Sequence, residues 1–163
     1  METVAGSDQN EKSLLLRDVE ASDLPVFFEH QREPEANDMA AFPPRELDAF
    51  MAHWEKIIND ESLIAMTIVF DGQVAGNVAC WPQDGQNLVG YWIGKEFWGR
   101  GVASRALSEF LNLVGLRPIH AYVAKHNKAS IRVLEKCGFV FSATDTEALG
   151  EPEDGIEELV YVL

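Results

Sequence analysis

Hydrophobic and polar positions change period several times along the chain, and each change marks an element. Leu14, Leu15 and Leu16 followed by Arg17, Asp18 and Val19 read as a first strand. A helix should begin near Ser22 or Asp23 as its cap, with Pro25 in its first turn, and should run to about His30. Residues 33–38 and Phe42-Pro43-Pro44 then break the pattern as an irregular loop. The segment 45–59 resumes it, with Leu47, Phe50, Met51, Trp54, Ile57 and Ile58 at helical spacing. Met39 and Phe42 are apolar positions among the loop charges, suited either to a substrate wall or to a tuck into the core.

Residues 63–70 are aliphatic and β-branched, and Asp71-Gly72 signals a hairpin into a strand over 73–81. A connection over 82–87 leads to a strand over 88–93, so three antiparallel strands are expected. Farther on, Leu107, Phe110, Leu111 and Val114 mark an amphipathic helix, Gly115 suits its C-terminal cap and Pro118 lies just beyond. A strand over 119–124 follows. Asn127 can cap a helix in which Ile131 and Leu134 share a face, and a left-handed Gly138 would fold Phe139 back on Leu134. The segments 139–142 and 156–162 read as a closing pair of strands.

A chain of 163 residues suits one domain with a substantial core; residues 1–13 are expected to be a flexible tail and 14–163 the domain. No apolar run approaches the roughly 20 residues of a membrane helix, and no basic leader precedes an apolar stretch. The expectation is a cytoplasmic protein with no membrane partner. Cys80 and Cys137 have no metal-like spacing and read as reduced thiols, so no metal site is expected.

The net charge of −14 argues against a nucleic-acid partner, because affinity for phosphate backbones comes mainly from clustered cations. Its distribution carries more information. Between residues 95 and 136 lie eight basic side chains (Lys95, Arg100, Arg105, Arg117, Lys125, Lys128, Arg132, Lys136) and three acidic ones (Glu96, Glu109, Glu135), a local +5 that leaves −19 on the remainder. Such a patch favours a polyanionic ligand, and the acidic remainder would favour a cationic acceptor. Chance clustering on a solvated face is the competing explanation.

The patch overlaps the stretch 91–104, Y-W-I-G-K-E-F-W-G-R-G-V-A-S. An aromatic strand runs into a turn in which Gly99 and Gly101 flank Arg100, and small residues then open a helix. Glycines let a ligand approach the backbone where the first helical N–H groups are unpaired, so such a junction binds anions. A tight turn made only for packing would look the same. No lysine completes a Walker loop, and no third glycine completes a dinucleotide fingerprint.

The string W-G-R-G-V-A resembles the acyl-CoA pyrophosphate loop of the GNAT N-acetyltransferase superfamily, Q/R-x-x-G-x-G/A, with Gly101 and Ala103 at its last two fixed positions. Trp98 stands where glutamine or arginine is usual, a departure similar to the RimJ/RimL-like branch. Asn127 and Ser130, followed by Gly138-Phe139, resemble the family's N-x-x-S/A and G-F pattern. The resemblance covers residues 13–163. It implies an α+β fold: a mostly antiparallel central sheet of about six or seven strands with a splayed parallel pair, flanked by about four helices.

The resemblance also implies acetyl-CoA as cosubstrate and an amine as acceptor. Tyr91, Trp92 and Ile93 would contact pantetheine, as a peptide adds to a sheet edge. Trp98, Gly99, Arg100, Gly101, Val102, Ala103 and Ser104 would surround the pyrophosphate, and Asn127 and Ser130 would approach from the other side; capping alone accounts for Asn127 equally well. The implied reaction is direct attack by a primary amine, a protein N-terminus or a small amine, in a ternary complex, with a strand amide polarising the thioester carbonyl. Leu134 occupies the position of the usual tyrosine acid, so Ser130 is the substitute and Tyr122 a second candidate. His30, His53, His120, His126, the carboxylates and a water relay all stay open as base. The alternative function is a non-catalytic acyl-CoA-binding sensor on the same fold. The resemblance leaves open whether the protein is a monomer or a homodimer.

Overall fold

Two tight turns set the register of the first half of the sheet. Asp71 and Gly72 have φ of 53° and 78°, and Asp84 and Gly85 have 50° and 80°, the paired positive torsions whose twist matches that of the flanking strands. In the computed structural model, which describes residues 12–41, 43–144 and 157–163, these turns join β2 (Ile64–Phe70), β3 (Gln73–Gln83) and β4 (Gln86–Ile93). β3 and β4 are longer than the hydrophobic pattern indicated. Pro82 and Gln83 pair with Asn87 and Gln86, so the expected connection over 82–87 is mostly ladder.

With β1 (Leu14–Asp18), β5 (His120–Ala124), β6 (Val140–Thr144) and β7 (Glu158–Val162), the sheet formed by the described residues has seven strands in the order β1-β2-β3-β4-β5-β7-β6. Every neighbouring pair is antiparallel except β4 and β5. This is the mixed α+β architecture with one parallel pair that the resemblance implied.

Among the described residues five α-helices flank the sheet: α1 (Leu24–Gln31), α2 (Pro34–Ala40), α3 (Leu47–Asn59), α4 (Val102–Val114) and α5 (Lys128–Lys136). α2 corrects the expectation of an irregular loop. Pro34 reads as a breaker, but in the first turn of a helix its missing N–H is not needed. Glu33 caps that turn by accepting from the Glu35 N–H, and the Asn37 amide donates to the carbonyls of Gln31 and Glu33. Phe42 and residues 1–11 of the expected tail lie outside the described residues.

The sheet separates two cores. On one face Val102, Ala106, Leu107, Phe110 and Leu111 of α4 and Leu134 of α5 are buried with Val78, Val89 and Ile93. On the other, Leu24 and Phe27 of α1 pack on Phe50 and Trp54 of α3, with the Phe27 and Trp54 ring centroids 5.0 Å apart. Each fully buried Leu or Phe contributes about 1.5–3 kcal/mol. α5 ends as expected: Gly138 has φ of 97°, and the N–H groups of Phe139 and Gly138 reach the carbonyls of Leu134 and Glu135, each at 3.0 Å.

Asp23 precedes α1 but makes no side-chain cap bond to it. Its carboxylate, 2 % exposed, accepts two bonds from Arg17 at 2.8 and 2.9 Å, one from the Glu20 N–H at 2.8 Å and one from Thr67 of β2 at 2.7 Å. Burial alone would raise its pKa; Arg17, the Glu20 amide and Thr67 outweigh burial and bring it down to about 2. Among the described residues no helix is long and apolar enough to cross a membrane, and no cluster of metal-ligating side chains occurs.

Candidate functional site

β4 and β5 register through one residue pair, Leu88 with His120, after which they diverge. Successive side chains of a strand point to opposite faces of a sheet, and β4 shows it: the Tyr91 hydroxyl reaches Ser130 of α5, while the Trp92 indole donates to the His30 carbonyl in α1 at 3.3 Å. Both residues line the same cavity of about 480 Å³. A cavity that takes Tyr91, Val102 and Ser130 from one face and Trp92, Ala36, Met39 and Ala40 from the other passes through the seam between the two strands. Two reactants can therefore meet from opposite faces of the sheet.

The floor on the α4 side is the glycine turn. Gly99 and Gly101 have φ of 75° and 76°, and a Cβ at either would meet nothing within 4 Å, so the space above the turn is open to a ligand. Gly101 is the N-cap of α4 and, having no side chain, leaves the first-turn amides uncapped. Free amides at a helix start, with glycine on the approach, suit a pyrophosphate, so the residues present fit the nucleotide end of coenzyme A. Trp98 turns its indole N–H onto the Ile93 carbonyl at 3.0 Å, which ties the turn to the end of β4 and removes that carbonyl from ligand contact.

Of the residues expected around a cofactor, Tyr91, Trp92, Ile93, Trp98, Gly99, Gly101, Val102, Ala103, Ser104, Asn127 and Ser130 all line the cavity. Arg100 does not. Its guanidinium lies over the rings of Phe70 and Phe97, 5.1 and 5.8 Å from their centroids, because a planar cation gains more there than in water beside an already positive helix start. The cations that do line the cavity are Arg132 and Lys136 of α5. Their i, i+4 spacing on one helix face was legible in the chain, but only as part of the larger basic cluster. Lys95 is drawn off by Glu33 and Glu35, at 3.4 and 3.0 Å, and Lys125 by Glu157 at 3.6 Å.

α5 opens against the same cavity but closes its own first turn: the Asn127 side chain accepts from the Ser130 N–H at 3.2 Å. The Ser130 hydroxyl lies 2.6 Å from that of Tyr91. Burial pushes the Tyr91 phenol up to about 12, so it stays protonated at neutral pH. The sequence points to Tyr91 only as a strand contact, and its hydroxyl partner is invisible without the fold. Tyr122, the second acid candidate, sits on β5 opposite Val160 and is not part of the cavity lining; neither is any of the four histidines. His30 is buried, which lowers its pKa, and His126 meets the Asp38 carbonyl at 2.7 Å. Leu134, at the usual tyrosine position, is 1 % exposed in the core.

Comparison with known proteins follows the same lines. The family described as "Acetyltransferase (GNAT) domain" matches residues 13–140. A GNAT-family acetyltransferase from Bacillus anthracis superposes with a TM-score of 0.78 at 16% identity, over 92% of this chain and 93% of that one. A spermidine N-acetyltransferase from Vibrio cholerae, solved with CoA and spermine, gives 0.78 at 20%, over 92% and 94%. RimL, a ribosomal L7/L12 alpha-N-protein acetyltransferase solved with coenzyme A, gives 0.78 at 18%, over 93% of both chains. At these identities the likeness establishes the fold. No curated protein matches the chain.

Proposed function

This chain belongs to the GNAT acetyltransferase domain family, and on that premise we propose that it is an N-acetyltransferase of the RimJ/RimL-like branch, moving an acetyl group from acetyl-CoA to a primary amine by direct attack in a ternary complex. The observation that carries the reading is the cavity through the β4–β5 seam. Coenzyme A enters from the α4–α5 face, with its pyrophosphate on the uncapped amides from Gly99 to Ser104 and Arg132 and Lys136 supplying the positive charge that Arg100 does not. Pantetheine runs along β4 at Tyr91, Trp92 and Ile93. The amine enters from the α1–α2 face, past Trp92 and Met39.

Attack requires a neutral amine, a donor for the carbonyl oxygen and a proton for the departing sulfur. A β4 amide in the opened seam serves the oxygen. Ser130 donates to the sulfur as the C–S bond breaks. Because no histidine lines the cavity, the ammonium form of the acceptor gives its first proton to water before attack, rather than to an imidazole base. A protein N-terminus and a small cationic amine are the acceptor classes in view, and the acidic remainder of the chain draws the latter.

One observation favours the sensor reading: with Leu134 in the core, the family's usual acid is missing. A thiol-release assay with acetyl-CoA separates the two readings, using ribosomal-protein N-terminal peptides, polyamines and simple primary amines as acceptors. Turnover with any of them supports the enzyme. Tight acetyl-CoA binding with no thiol released across the panel would make the protein a sensor.

A further inference from the structure

We propose that Tyr91 is a positioning residue that sets the direction of the Ser130 hydroxyl hydrogen and so makes it available to the leaving sulfur. The inference rests on the acetyltransferase reading above and deepens it. Ser130 is fixed at its backbone by the Asn127 cap, but a serine hydroxyl still rotates freely about its C–O bond until something holds it. Its hydroxyl partner among the described residues is Tyr91, 2.6 Å away, reaching across the cavity from β4 to the first turn of α5. A phenol is a much better donor than an alkanol. Tyr91 therefore donates and the Ser130 oxygen accepts, and Ser130 has one hydrogen left to give, turned away from Tyr91. Both residues line the cavity, so that hydrogen can face the reacting atoms.

Tyr91 does not itself supply the proton. Its phenol is pushed up to about 12. That phenolic hydrogen is engaged by the Ser130 oxygen, so the one left to face the sulfur is the Ser130 hydrogen. The balanced step keeps the phenolic hydrogen in place. The amine nitrogen forms its bond to the acetyl carbon, the C–S bond breaks and its electron pair goes to sulfur, and sulfur takes the Ser130 hydrogen. In the same step Ser130 takes the proton that the attacking nitrogen loses in becoming an amide, so the hydroxyl relays a proton and no serine alkoxide forms. The hydrogen bond from Tyr91 polarises Ser130 throughout, as successive hydroxyls in a chain strengthen one another.

The test is a kinetic double-mutant cycle with Tyr91→Phe, Ser130→Ala and the pair, combined with calorimetric titration of CoA. Tyr91→Phe keeps the ring and the β4 backbone. It should lower kcat about three- to tenfold, the worth of one neutral hydrogen bond, and leave the CoA Kd within about twofold. Ser130→Ala should lower kcat roughly ten- to a hundredfold, and adding Tyr91→Phe to it should cost nothing further. Three results overturn the inference: unchanged kcat in Tyr91→Phe, a loss confined to CoA affinity, or the same kcat penalty for Tyr91→Phe in the presence and absence of the Ser130 hydroxyl. Absence of thiol release by the wild-type protein is a separate result, which overturns the acetyltransferase reading and this inference with it.

Discussion

Polar groups gather at two places in this molecule and are treated in opposite ways. In the Arg17–Asp23–Thr67 cluster both carboxylate oxygens of Asp23 are hydrogen-bonded, to Arg17, the Glu20 amide and Thr67, and the acid is almost fully buried. At the glycine turn before α4 the backbone donors have no side-chain cap and the space above them is open. Satisfied buried groups fix a fold; unsatisfied ones facing a cavity wait for a ligand. The start of α5 repeats the contrast at close range. It faces the same cavity as α4 yet closes its first turn with its own Asn127, which is why the proposed anion site is α4 and the proposed role of α5 is to support Ser130.

The sharpest way to test that division is to damage each place and read both stability and affinity. Asp23→Ala leaves the Arg17 charge and the buried Thr67 hydroxyl without their partner, and should destabilise the fold by about 3 kcal/mol in denaturant unfolding. CoA affinity should not change; a parallel loss of affinity would erase the distinction between the two places. Gly101→Val should do the reverse. It should weaken CoA binding by about a hundredfold, seen as loss of the thermal shift that acetyl-CoA gives the wild-type protein, because charge-assisted bonds to the turn amides are lost. The left-handed torsion at 101 should cost the fold only about 1–2 kcal/mol.

The fixed cluster also predicts a pH signature. Asp23 titrates near 2 in the folded protein, below its ordinary 3.8. Its contribution is complete above about pH 4 and disappears as pH falls through about 2. Stability measured across that window should fall in the wild-type protein and flatten in Asp23→Asn; identical slopes would show that other carboxylates control acid unfolding. The smallest effect expected is that of Asn127→Ala. Loss of a helix cap should cost about 1 kcal/mol of stability with CoA affinity within about threefold. A tenfold or larger fall in affinity would make Asn127 a ligand contact and break the contrast between the two helix starts.

What could be read from the chain follows from whether the controlling interaction is local. The Asp71-Gly72 turn, the α4 stripe and the Gly138 ending are set by residues within a few positions, and they match the structure. α2 was missed because Pro34 breaks or starts a helix depending on its place, and the Asn37 bonds that settle it reach back to Gln31. The turn expected over 82–87 is present but confined to 84–85, because Pro82 reads as a loop residue although it pairs within the ladder. In the site, the glycine turn was visible as a motif. The displacement of Arg100 onto Phe70 and Phe97 and the meeting of Tyr91 with Ser130, 39 positions apart, depend on packing that no local pattern encodes.

On the proposed reading, the open start of α4 is a pyrophosphate site serving the seam where acetyl transfer takes place. Calorimetric titration of the wild-type protein with acetyl-CoA and with S-acetylpantetheine, which carries the same thioester but no nucleotide, tests it directly. Acetyl-CoA should bind at least about a hundredfold tighter, equivalent to about 2.7 kcal/mol from the phosphates. Equal affinity for the two thioesters would contradict it.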